Sequence, residues 1–175
     1  WEALLDMKRT MPMHRLLDGD VGSGKTMVAA IAAVNAARAG FQTAVMAPTE
    51  ILAVQHYHTF KALFSGQPFT VALWTNAYKR SSGAGGEIVC SNKKEADQLL
   101  RSIAEGEVGV VIGTHALVED RLRFDALALA VIDEQHRFGV RTRQLLCGKS
   151  GIPETEPHLL SMTATPIPRS LTMTL

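Results

Sequence analysis

Only two cysteines occur in 175 residues, Cys90 and Cys147, far apart and without CxxC or CxH spacing. That argues against a zinc site or a disulfide framework and fits a reducing, cytoplasmic setting. Charge of one sign is also lacking: 18 basic residues face 17 acidic ones, a formal net charge of +1. No global basic field marks the chain as a nucleic-acid binder, so any contact with DNA or RNA has to be local. No apolar run is long enough to span a bilayer, and the opening "WEALLDMKRT" has no signal-peptide core, so no membrane partner is expected. Internal repeats are absent. The first residue is Trp1, not methionine, which suggests a fragment of something longer. What is present is apolar material, 46% of the residues, enough for the core of a single domain over residues 1–175.

That material is arranged as short strands alternating with helices. "HRLLD" (14–18) reads as a strand entering a glycine turn, and residues 25–40 as an alanine-rich helix closed by Gly40. Residues 41–47 form a buried strand, ended by Pro48 and followed by a helix from a Thr49 cap to about Leu63. A third strand covers 69–74, a Ser/Gly-rich loop covers 75–91, and an amphipathic helix covers 93–106. Residues 108–113, 128–134 and 158–164 are further buried strands. Near-continuous apolar strands between helices imply an α/β fold with a mostly parallel sheet and helices on both faces.

In such sheets ligands sit beyond the carboxyl ends of the strands. After the first strand stands Gly19-Asp20-Val21-Gly22-Ser23-Gly24-Lys25-Thr26, which fits GxxxxGK[ST] at every fixed position. Glycines let backbone N–H groups curl around an anion, and the helix N-terminus adds partial positive charge. Lys25 reaches the outer phosphates and the Thr26 hydroxyl can ligate Mg²⁺. A phosphoryl-transfer site also needs a metal carboxylate and a group that aligns water. "LAVIDEQH" places Asp133 and Glu134 at a strand end, Asp133 for the metal and Glu134 for the water. Alone, the pair reads equally well as an exposed acidic loop; the cradle on the same sheet tips the balance.

Five stretches in order, "GDVGSGKT", "APTEILAVQH" (47–56), "GTHAL" (113–117), "DEQHRFGV" (133–140) and "SMTATPIPR" (161–169), resemble the motifs of superfamily 2 helicases. More narrowly the set resembles the RecG family, bacterial ATP-dependent helicases that remodel branched DNA such as stalled forks and Holliday junctions. The duplex translocases of transcription-repair coupling share "GTH", "RFGV" and "TATPIPR" but look different at Gln135, where Glu is expected. The resemblance implies a RecA-like P-loop NTPase fold, ATP and Mg²⁺ as cofactors, and DNA, branched or forked, as partner. It also implies a wedge domain and a second RecA-like domain outside this chain, the latter supplying an arginine finger. By the same resemblance Gly19, Gly22, Ser23, Gly24, Lys25 and Thr26 hold the nucleotide, and Asp133 and Glu134 serve hydrolysis. Gln135 and His136 sense the γ-phosphate or relay its loss. Thr163, Ala164 and Thr165 link nucleotide state to the nucleic-acid track, and Pro48, Thr49, Glu50, Gly113, Thr114 and His115 face one nucleic-acid strand.

Blander readings stand beside these. His115 fits a core histidine satisfied by a carbonyl, and Arg137-Phe138-Gly139 fits a packing turn as well as a support for "DEQH". Arg141, Arg143 and Lys149 read as a solvated helix face. Trp74-Thr75-Asn76 stands where the family has a small threonine-glycine turn, and the segment that contacts adenine is missing or reduced to "WEALLDMK". As it stands, the chain then reads as a nucleotide-binding module with negligible turnover of its own.

Overall fold

Strands of five or six residues that are apolar nearly throughout need cover on both faces, and here they have it. The computed structural model describes residues 2–9, 11–20 and 22–164. Its strands are β1 (His14–Asp18), β2 (Gln42–Met46), β3 (Thr70–Trp74), β4 (Lys79–Gly83), β5 (Gly86–Val89), β6 (Val108–Gly113), β7 (Leu127–Ile132) and β8 (His158–Thr163). Its helices are α1 (Glu2–Asp6), α2 (Lys25–Arg38), α3 (Glu50–Leu63), α4 (Lys93–Ala104) and α5 (Val140–Cys147). The strands lie in one sheet in the order β1-β8-β7-β2-β6-β3-β4-β5. The first six are parallel, and only β4 and β5 run antiparallel to their neighbours.

Alternation along each strand feeds two cores. In β2, Val45 joins Ala29, Ala33 and Ala36 of α2 and Tyr57 and Phe60 of α3 on one face. Ala44 and Met46 join Leu99 and Ile103 of α4 and Leu146 of α5 on the other. The alanines explain themselves: small side chains let α2 lie close on the sheet. Helix ends follow local rules. Gly40, at φ 83°, closes α2, with its N–H donating to the Ala37 carbonyl and the Phe41 N–H to that of Ala36. Thr49 and Asn92 cap α3 and α4 by accepting from Leu52 N–H and Glu95 N–H.

Residues 75–91 are not the loop their composition suggests. A turn closes where Thr75 N–H donates to the Tyr78 carbonyl at 2.8 Å and Tyr78 N–H to Thr75 Oγ1 at 2.9 Å. The chain then pairs back along β3 as β4, and β5 returns along β4 across Ala84 and Gly85. Main-chain pairing with the open edge of β3 overrides a composition of Ser, Gly and Lys, because edge strands facing solvent need no apolar alternation. The hairpin is fastened to α3 through Glu87, which accepts from the Tyr57 hydroxyl at 3.1 Å and pairs with Lys61. Lys61 holds the Glu87 carboxyl below its ordinary range, while burial pushes the Tyr57 phenol far up, so it remains a donor.

Lys149 also departs from expectation. It lies beyond α5, half-buried, and its ammonium donates to the Glu119 and Leu122 carbonyls, each at 2.7 Å. Burial lowers its pKa. Lys149 is thus a staple for the 119–122 loop, whereas Arg141 is exposed as a solvated face requires.

Gln42 is the other staple. Buried at the start of β2, its Nε2 donates to the Ile103 and Val108 carbonyls at 2.8 and 2.9 Å. Its Oε1 accepts from the Asp125 and Ala126 N–H groups at 2.8 and 3.2 Å. All its hydrogen-bonding capacity is used, joining the α4–β6 connection to the entry of β7. Gln42→Ala removes four buried hydrogen bonds at once and strips the Asp125 and Ala126 N–H groups of their side-chain acceptor, and is expected to cost about 3 kcal/mol in urea unfolding. A loss under about 1 kcal/mol would mean that water replaces the amide without penalty.

Candidate nucleotide site

The first half of the site grows out of β1. Gly22 and Gly24 take φ values of 85° and 88°, a region where side-chain-bearing residues are strained, and they turn the chain through the loop into α2. Gly24 stands at the N-cap and supplies no capping side chain. A helix end of this kind attracts an anion. The first helical residue is Lys25, whose ammonium donates to the Gly19 and Asp20 carbonyls at 2.5 and 2.8 Å. A Cβ at Gly19 would meet Ser23 Oγ at 2.8 Å, a contact that a turn of the Ser23 side chain relieves. Thr26 follows in the first turn of α2, half-buried.

The second half follows β7. Asp133 N–H donates to the Met46 carbonyl at 2.9 Å, which extends the ladder with β2 by one residue. Its Oδ1 accepts from Glu134 N–H at 3.0 Å, and its Oδ2 lies 2.7 Å from His56 Nε2. Glu134 takes φ 49° and ψ 58°, a left-handed conformation without the freedom of glycine. Such a backbone costs about 1–3 kcal/mol and persists where surrounding structure enforces it. Glu134 Oε2 is buried without a hydrogen-bond partner among the described residues; His136 Nδ1 stands 3.4 Å away without forming one. A strained residue aiming an unsatisfied carboxylate oxygen is what a water-aligning group needs and what a packing residue avoids. Gln135 and His136 continue into a short 3-10 turn, where Gln135 faces a groove with Leu16, Val140, Gln144 and Ser161.

Strand order brings the expected residues into one row. β1 and β7 flank β8, so the ends carrying Lys25 and Asp133 are about 10 Å apart by strand spacing alone. Thr163 ends β8 between them and Ala164 follows; Thr165 lies outside the described residues. Pro48, Thr49 and Glu50 join β2 to α3, and Gly113 ends β6. A Cβ at Gly113 would collide with the Trp74 carbonyl, which explains the glycine. Thr49 is exposed, whereas Glu50 Oε1 accepts from Ala77 N–H at 3.0 Å and so holds the turn before β4.

His115 is not a core histidine. It is exposed, with its ring 5.2 Å from that of Phe138, and Phe138 is itself buried in the second core. Arg137-Phe138-Gly139 therefore packs as a turn and touches the "GTH" segment at the same time. The residue that the motifs leave without a role is His56. It belongs to the buried stripe of α3, with Ala53, Tyr57 and Phe60. A polar residue in an apolar stripe is the available signal, because such a group requires a partner.

The residues fit a divalent cation bound together with phosphates. Among the described residues no cluster of three His, Cys, Asp or Glu side chains could hold a metal unaided. One carboxylate beside a phosphate cradle is the Mg²⁺ pattern, in which substrate oxygens complete the shell. No described helix is long and apolar enough to cross a membrane.

Comparison with known proteins agrees with this arrangement. Residues 2–174 match the family profile described as DEAD/DEAH box helicase. The chain is 44% identical over 174 residues to the ATP-dependent DNA helicase RecG of Aquifex aeolicus, covering 99% of this chain and 20% of that protein. Against RecG of Bacillus subtilis the figures are 46% over 173 residues, 99% and 23%. The chain thus spans about a fifth of the length of the curated relatives it matches. A solved structure of RecG bound to a three-way DNA junction superposes with a TM-score of 0.75 and 41% identity, over 97% of this chain and 20% of that one. The Pyrococcus furiosus Hef helicase domain shares the fold at a TM-score of 0.64 and 21% identity, over 98% of this chain and 34% of that one. A mostly parallel α/β sheet with a glycine-rich loop after β1 and a carboxylate pair after β7, matched by profile over almost the whole length, places the chain in the DEAD/DEAH box helicase family.

Proposed function

We propose that this chain is the ATP-binding and hydrolysis lobe of a helicase that remodels branched DNA, working against a second RecA-like lobe of the same protein. The observation that carries the reading is the pairing of the Lys25 cradle with the Glu134 carboxylate, whose Oε2 takes no hydrogen bond among the described residues, along one row of strand ends. The branched substrate rests on likeness to RecG proteins, one of them solved on a three-way DNA junction.

In this reading the loop amides and Lys25 take the β- and γ-phosphates, with the Lys25 ammonium exchanging loop carbonyls for phosphate oxygens. Thr26 and Asp133 hold Mg²⁺, which when bound neutralises charge building up on the phosphates. Glu134 Oε2 accepts a proton from the attacking water and keeps it aligned with the γ-phosphorus. Gln135 and His136, adjoining both Glu134 and the turn that packs on His115, pass the loss of the γ-phosphate toward the strand-contacting segments. Thr49 and the ends of β2 and β6 meet the phosphates of one DNA strand through backbone amides and small hydroxyls. Such contacts carry no sequence information, so recognition follows DNA shape.

The test is ATP hydrolysis by the full-length protein, titrated in parallel with a forked DNA, a linear duplex and a structured RNA. Stimulation by the fork well above the duplex is the expected result. Equal stimulation by linear duplex points to a duplex translocase, and preference for RNA overturns the DNA assignment.

A further inference from the structure

We propose that His56 is a positioning residue for the metal carboxylate: it fixes the orientation of the Asp133 carboxylate that would hold the divalent ion while leaving a lone pair open on each oxygen. The inference rests on the reading of Asp133 as the metal-binding carboxylate.

Three contacts fix Asp133. Its backbone is pinned to β2 by the 2.9 Å bond to Met46, its Oδ1 takes the Glu134 amide at 3.0 Å, and its Oδ2 takes His56 Nε2 at 2.7 Å. The first two arise within or beside the strand and leave the second oxygen free. The His56 contact comes from a separate element, 77 residues away in sequence, and removes that freedom. The ring is only 7% exposed, packed in the stripe of α3 that faces the core, so it cannot follow a wandering carboxylate. Each carboxylate oxygen has two lone-pair sites, and one on each is used. One on each therefore remains. A flexible lysine at the same place would hold the carboxylate by charge and compete with the ion; a buried imidazole orients it through a single N–H.

His56 also sits two turns from Thr49, at the start of the same helix. Glu50 ties that start to the turn before β4, so α3 is one rigid piece from the strand-end surface to Asp133. The placement would make a shift of α3 felt at the carboxylate.

Partners of this kind, outside the ligand shell, typically govern metal affinity by about 10–100-fold. The experiment uses the full-length protein with ADP and follows Mn²⁺ binding by electron paramagnetic resonance, alongside the Mg²⁺ dependence of ATP hydrolysis. His56→Ala is expected to weaken Mn²⁺ binding by about 10–100-fold and to raise the half-saturating Mg²⁺ by a similar factor. Nucleotide affinity in EDTA stays as in the unaltered protein. His56→Gln, whose amide can donate from nearly the same position, restores Mn²⁺ affinity to within about threefold. His56→Leu, which fills the space without a donor, behaves as His56→Ala. In an Asp133→Ala background His56→Ala brings no further loss of Mn²⁺ affinity, because the partner through which it acts is gone. Unchanged Mn²⁺ affinity in folded His56→Leu, checked by thermal melting, overturns the proposal, as does failure of His56→Gln to restore it. Absence of nucleotide-dependent Mn²⁺ binding in the unaltered protein overturns the Asp133 reading itself and is told apart by that control.

Discussion

Lys25→Ala is expected to reduce ATP turnover in the full-length protein by at least about a hundredfold, the scale on which removing one preorganised charge stabiliser acts in phosphoryl and acyl transfer. Lys25 is the single ammonium in the glycine loop, and its partners are the Gly19 and Asp20 carbonyls. Its removal has two effects. Phosphate oxygens lose their one mobile positive charge, and the carbonyls that the ammonium gathers are released, so the loop loses a clasp. Lys25→Arg separates the two: the charge persists, but a planar fork replaces a point charge and fits the narrow loop poorly, so turnover stays low. Measurement is by steady-state hydrolysis together with fluorescent-nucleotide binding. Turnover within a few-fold of the unaltered protein in Lys25→Ala would remove the cradle from the mechanism.

Glu134→Gln separates binding from chemistry. Nucleotide affinity is expected to remain, while hydrolysis falls by about 10²–10⁴-fold, the contribution of a positioned general base. The amide keeps the size and reach of the carboxylate and loses its capacity to accept a proton. Because Glu134 Oε2 accepts no hydrogen bond among the described residues, the substitution breaks none there, and the melting temperature is expected to hold or rise. Opposite signs for stability and turnover mark a residue retained for work at the expense of the fold. Full ATPase activity in Glu134→Gln would assign water activation to another group.

Much of the fold was legible because apolar strands carry their own signal. Residues 14–18, 108–113 and the helix from the Thr49 cap to Leu63 stand where periodicity and capping put them. The hairpin at 79–89 was hidden for a physical reason: β4 is made of Lys, Arg, Ser and Gly and β5 is exposed throughout, and they form because β3 offers a free edge, which no local pattern records. Residue type and spacing were enough to locate the glycine turn after β1 and the Asp133–Glu134 pair after β7. Their environment was not legible in this way. That Asp133 is gripped by His56 and that Gln42 and Lys149 staple distant segments depend on pairings 27 or more residues apart. Spacing along the chain says nothing of such pairs. His115 shows the same limit from the other side, since neither its exposure nor its contact with the Phe138 ring is written in local spacing.

The sheet order has a mechanical side. Among the described residues β1 has one neighbour, β8, whereas β7 is held between β8 and β2. The phosphate loop is therefore mounted on the rim of the sheet and the Asp133–Glu134 pair on its interior. Rim strands open and yield before interior ones. In the proposed function, the loop that would grip the phosphates is then the part free to give during loading and release, while the carboxylates would act as the fixed jaw against which it closes.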